Sequence, residues 1–206
     1  MKNIHEYLAR TESATRKLYE GVNFSFEMLM NSIRKGSLCP EESEEEIQRK
    51  LKESDVAQHR FIYYESIAMD ALCGALLQIA FMGIRLFSEN TSDVPDNFSE
   101  IIKPSNDRKK PVRFCIGRDV RNVPIGLIIY AGRNSYNHFD DDGDLNKTCK
   151  AVFAKLCLSD EFGICRDPSF DLNRKEDKTR FTSNIMSLLG WSAYEPFSKD
   201  MIDMLK

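Results

Sequence analysis

The sequence predicts an all-α protein on three observations. Apolar residues recur at helical intervals of three and four along most of the chain. Only residues 112–116, Val-Arg-Phe-Cys-Ile, alternate with period two, and they do so weakly. Breakers such as Gly36, Pro40, Pro95, Gly143 and Gly190 fall between the apolar stretches, where a helical bundle needs its turns.

Residues 3–35 read as the first helix through Ile4, Tyr7, Leu8, Leu18, Phe24, Met28, Leu29 and Ile33, with Gly21 a point where it can bend. Pro40 disfavours helix at the residue before it. The acidic residues 41–46 suit the positive start of the next helix. Ile47, Leu51, Val56 and Phe61 form one stripe, and from Phe61 to Phe87 the pattern is apolar almost all round, the mark of a central buried helix. Its longest apolar run, residues 71–84, contains Gln78 and lies between Asp70 and Arg85. That run is shorter than the roughly 20 residues a membrane span needs. Glu65 or Asp70 suits either the orienting of a catalytic Arg or His or a hydrogen bond at the core edge.

Residues 89–111 form a connector with room for a short helix around residues 98–102. Asn122 is placed to cap a helix beginning near Val123-Pro124, with proline in its first turn. Ile125, Leu127, Ile128, Ile129 and Tyr130 carry that helix forward. Residues 145–158 read as a core helix, residues 162–170 as a loop, and residues 174–189 as an amphipathic helix stopped by Gly190. Ser198 is placed to cap a short last helix over residues 199–205. These elements make one domain, residues 1–206, a length at which a core forms without disulfides or metals.

Composition narrows the function. An apolar fraction of 42% and a charged fraction of 30% are those of an ordinary soluble globular protein. The net charge of −3 gives no global attraction to nucleic acid, so any such contact needs a local patch. The polar start Met1-Lys-Asn-Ile-His-Glu lacks a secretion signal, and a cytoplasmic protein without membrane association is expected. The six cysteines form no Cys-x-x-Cys pair and the three histidines no ligand cluster, so neither metal nor cofactor is expected. Asp140, Asp142 and Gly143 suggest a calcium loop, but its first and twelfth positions are His138 and Cys149, which carry no carboxylate. Phosphate-binding and dinucleotide glycine patterns are absent, as is a nucleophile elbow.

The informative segment is the apolar helix that leads into Arg133-Asn134, with His138 beyond and three aspartates after it. Arginine offers a fixed fork of donors for a phosphate, and histidine exchanges protons near neutral pH. Five positions on a straight helix separate two side chains by about 140°, so Arg133 and His138 cannot share one face. Either the helix ends before His138 or a second chain completes the site. Upstream, residues 103–121 hold seven basic side chains, among them Arg108, Lys109, Lys110, Arg113, Arg118 and Arg121, against Asp107 and Asp119. A phosphate backbone is the natural partner of such a stretch; a solvated loop is the alternative.

Arg133, Asn134 and His138 at the end of an apolar helix resemble the signature of the HEPN domain family. The resemblance covers those residues and their helical setting. It implies a HEPN-like helical bundle, here with extra N- and C-terminal helices, and a homodimer that brings two Arg–His sets together. It implies a metal-independent endoribonuclease of the toxin–antitoxin or phage-defence kind, with RNA as substrate and an antitoxin or defence-system protein as partner. His138 would be the general acid/base, Arg133 the phosphate clamp, and Asn134 a hydrogen-bonding support for either or for a phosphate oxygen. Some members carry a modified tyrosine two residues after the histidine; here that residue is Asp140, so this control is not expected. The alternative is a non-catalytic helical module that binds RNA or a protein partner.

Overall fold

The structure is a computed structural model that describes residues 2–35, 44–137, 145–158, 166–172 and 181–206, with the backbone alone over residues 32–35 and 44–60. Among these residues the fold is all-α: six helices and one two-stranded hairpin. Helix α1, Ile4–Lys35, and helix α2, Glu44–Phe87, run antiparallel. The pairing is fixed at two levels. The Tyr7 hydroxyl donates to the Ile79 carbonyl at 2.7 Å, and Leu72 lies over Gly21. With 44 residues, α2 is about 66 Å long.

Among its described side chains, residues 61–87, α2 is buried only from Asp70 onward. Cys73, Leu76, Leu77, Ala80 and Ile84 are enclosed, whereas Tyr63 and Tyr64 are exposed. The expectation of burial throughout Phe61–Phe87 therefore holds where α3, α5 and α6 pack on it, and fails before Asp70, where aromatic side chains face solvent. By length and composition Phe61–Phe87 would also suffice to cross a membrane, a test that the core helix of a soluble protein passes equally.

Helix α3, Ile125–Asn137, is the most enclosed element: residues 125–132 are all buried. It packs on α2, on α4 (Lys147–Leu156) and on α5 (Thr182–Leu189). Gly126 lets its start approach the preceding chain, since a Cβ there would meet the Phe114 carbonyl at 2.4 Å. Helix α6, Tyr194–Met204, closes the bundle against α1 and α2. Fully burying one Leu or Ile side chain contributes about 1.5–3 kcal/mol, and Leu127, Ile128 and Ile129 are all fully buried.

Several boundaries differ from the sequence reading. Asn122 does not cap α3. Strands β1 (Asp119–Val120) and β2 (Val123–Pro124) pair antiparallel, and Arg121 and Asn122 form the turn between them with φ of 53° and 58°. Positive φ at both central residues is what a two-residue hairpin of this hand requires. Residues 112–116 form no strand; Pro111–Phe114 is a 3-10 turn, as is Asp96–Phe98 in place of a helix around residues 98–102. Asn146 caps α4, accepting from the Cys149 backbone N–H at 2.9 Å. Gly190 stops α5 in the left-handed conformation, φ 70°. Ser198 lies inside α6, which already begins at Tyr194; Pro196 fits there because the first turn needs no donor from it. Of the segments read from sequence, residues 36–43, 138–144, 159–165 and 173–180 lie outside the described residues.

Candidate active site

Arg133 sits in the last turn of α3, facing α2. Its Nε donates to Gln78 Oε1 at 2.8 Å and its Nη1 to Asn134 Oδ1 at 3.0 Å. With its amide turned oxygen-inward, the orientation that satisfies both groups, Asn137 accepts from Nη2 at 2.8 Å. The guanidinium carbon lies 4.7 Å from the centre of the Phe81 ring, a cation–π contact that fixes its plane.

Three neutral amides thus hold Arg133, and no carboxylate among the described residues neutralises it. A guanidinium carries five N–H groups. In the same orientation the Asn137 oxygen also lies 3.3 Å from Nη1 and 3.0 Å from Nε, so amide oxygens face all three nitrogens. An arginine whose charge is left uncancelled is the kind of donor a phosphate accepts. Burial first, and then the positive charge of Arg85, push Arg133 below its ordinary value. Gln78, Phe81 and Arg85 lie three to seven positions apart on α2 and present one face to α3. Sequence reading missed all three as site residues. Their spacing was visible, but nothing in the sequence says which face of α2 meets Arg133.

Asn134 is buried. Its carbonyl oxygen is taken by Arg133, and its Nδ2 lies 3.9 Å from Cys149 Sγ. Asn134 is therefore a support for Arg133, placed between α3 and α4. His138 and the aspartates 140–142 lie outside the described residues. Asp70 does not reach this site: its Oδ1 accepts from Thr182 Oγ1 at 2.8 Å and from the Ser183 backbone N–H at 3.2 Å, which ties α2 to the start of α5.

The basic stretch divides. Arg113 is buried and donates to the carbonyls of Ser88 (2.7 Å) and Asn106 (3.1 Å). Arg118 grips both carboxylate oxygens of Asp200 at 3.0 and 2.9 Å and also donates to the Leu189 carbonyl. Arg121 pairs with Asp167 at 2.9 Å, donates to the Leu156 carbonyl, and lies over Phe170. These three are occupied within the fold. Arg108, Lys109 and Lys110 are exposed, although Arg108 reaches the Leu86 carbonyl at 3.3 Å. Among the described residues, no group of three or more His, Cys, Asp or Glu side chains is placed to hold a metal ion.

Fold and site together define an all-α protein with an arginine held by amides at the end of a buried helix. The chain matches no family model, no curated protein and no solved structure.

Proposed function

We propose that the protein is a HEPN-type endoribonuclease in which Arg133 clamps the scissile phosphate and His138 transfers protons. The observation that carries this reading is the Arg133 cradle. Three amide oxygens orient the guanidinium without cancelling its charge.

In the reaction, the 2′-oxygen of RNA attacks the adjacent phosphorus and the bond to the 5′-oxygen breaks. One proton leaves the 2′-hydroxyl and one arrives on the departing 5′-oxygen. The products are a 2′,3′-cyclic phosphate and a free 5′-hydroxyl. Arg133 stabilises the charge that grows on the phosphorane oxygens. One histidine cannot be base and acid at the same instant, so two copies of the chain meet about a two-fold axis near the end of α3. The protein works in the cytoplasm, as a toxin or defence effector held in check by a partner protein.

The test is the chemistry of the products. Cleaved RNA should carry cyclic phosphate ends, chelators should leave the rate unchanged, and a 2′-deoxy residue at the cleaved position should block the reaction. Loss of activity with chelator and its return with magnesium would overturn the mechanism. A second reading, a non-catalytic module, draws on the same cradle, because the Gln78 bond ties α2 to α3 whatever else Arg133 does. It predicts that no RNA is cut by a folded dimer.

A further inference from the structure

One turn before Arg133 on α3, the Tyr130 side chain lines a cavity. Its volume is about 440 Å³, and it lies between the 107–111 segment and the start of α4. Its mouth is basic: Lys109, Lys110 and Lys147 line it, all exposed. Among the described residues the only carboxylate in the wall is Asp107, whose Oδ1 accepts from the Lys109 backbone N–H at 2.9 Å. Another part of the wall is apolar, formed by Ile101, exposed although hydrophobic, and Pro111. The Tyr130 ring is packed against Phe81 and Phe114, so its phenol end, not its face, serves the cavity.

We propose that this cavity holds one nucleotide unit: its phosphate among the three lysines, its base against Ile101 and Pro111. The volume falls within the range of small-molecule sites. Three ammonium groups around one recess favour a compact anion, while the exposed apolar wall has no use for a bare phosphate. Tyr130, in the wall of the cavity, and Asn134, in the Arg133 cradle, sit one helical turn apart on α3, so the two places are neighbours. The assignment of this nucleotide to the strand that Arg133 cleaves rests on the nuclease reading above; the nucleotide site itself rests on the cavity.

The test is a titration of the full chain at low salt with adenosine 5′-monophosphate, adenosine and inorganic phosphate, read by calorimetry. A single-stranded RNA with 2′-O-methyl groups throughout, which cannot be cut, serves as competitor. The nucleotide should bind saturably and more tightly than either fragment, and should displace the RNA. A Lys110→Gln/Lys147→Gln chain should bind it at least ~10-fold more weakly, since each lost cation removes a released counterion. Ile101→Asp, a surface change, should weaken the nucleotide but not inorganic phosphate. No binding by the wild-type chain, equal binding by the double variant, or phosphate binding as tight as the nucleotide would each overturn the site. Nucleotide binding that leaves the RNA in place would overturn its assignment to the strand. Because this titration needs no cleavage, an inactive chain that binds the nucleotide sinks the nuclease reading alone, and an active chain that does not bind it sinks the cavity alone.

Discussion

Arg133 Nε donates to Gln78 Oε1 at 2.8 Å, a bond that joins the end of α3 to the middle of α2. A neutral amide positions the guanidinium and leaves its charge in place. Gln78→Ala should therefore reduce RNA cleavage by roughly 10-fold or more through misplacement of the clamp, at a stability cost of about 0.5–1.5 kcal/mol for one hydrogen bond. Gln78→Glu separates position from charge. The new carboxylate still accepts from Nε, so thermal stability should hold, while RNA affinity falls because Arg133 is neutralised. Undiminished RNA affinity in Gln78→Glu would show that the charge of Arg133 is not used.

The basic residues of the connector should separate into two classes. Replacing Arg108, Lys109 and Lys110 with glutamine should flatten the salt dependence of RNA binding by about 2, at roughly 0.7 for each phosphate contact on a single strand. Arg118→Gln and Arg121→Gln should leave that slope alone and lower the unfolding midpoint instead, since both side chains are bound within the fold. Affinity measured across a salt series, beside urea unfolding, distinguishes the classes. A slope that responds to Arg118 would contradict the division.

Asp200 joins three elements, accepting from Arg118 and, at 2.8 Å, from Trp191 Nε1. Asp200→Ala strands both donors and should cost about 1.5–3 kcal/mol, the range for hydrogen bonds to charged groups. Trp191 is the sole tryptophan of the chain, so its fluorescence reports both the local change and the shifted transition. An unchanged midpoint would mean that water replaces Asp200 without loss.

Buried thiols add a pH dependence. Burial, with smaller help from Asp70 and Asp93 respectively, pushes Cys73 and Cys115 up to about 12; burial pushes Cys149 to about 11. A raised acid binds its proton more tightly in the native state. The resulting stability is complete below the ordinary value of 9.0 and is lost as pH rises from there towards the folded values. Urea midpoints should therefore fall between pH 9 and 11, a window set by those shifts. Alkylation at pH 8 should spare these three cysteines until the chain unfolds. Rapid labelling of any of them in the native protein would contradict the burial.

The helical class was legible because the apolar spacing of α1, α3 and α4 has one period and no competitor. The errors have specific causes. Asn122 before a proline suits a helix cap as well as it suits a hairpin turn, and only the pairing of Val120 with Val123 decides. Ser198 suits a helix cap by residue type, yet α6 already begins at Tyr194, and a proline in its first turn breaks nothing. In the site, Arg133 and Asn134 are adjacent in sequence and could be read together. Gln78 and Arg85 come from a helix 55 and 48 residues earlier, and Cys149 from one 15 residues later; their meeting is tertiary. The basic stretch misled for a similar reason. Charge is visible in sequence, but Asp200 and Asp167, which occupy Arg118 and Arg121, are distant along the chain.

The most direct measurement is the single-turnover cleavage rate of single-stranded RNA by the wild-type, Arg133→Ala and His138→Ala chains, with folding checked by thermal unfolding. Acid–base transfer and charge stabilisation are each worth roughly 10²–10⁴-fold and 10²–10³-fold. The account predicts that wild type cuts RNA and that either substitution lowers the rate by at least ~100-fold while the bundle still unfolds cooperatively. Full activity in a folded Arg133→Ala or His138→Ala chain would contradict it.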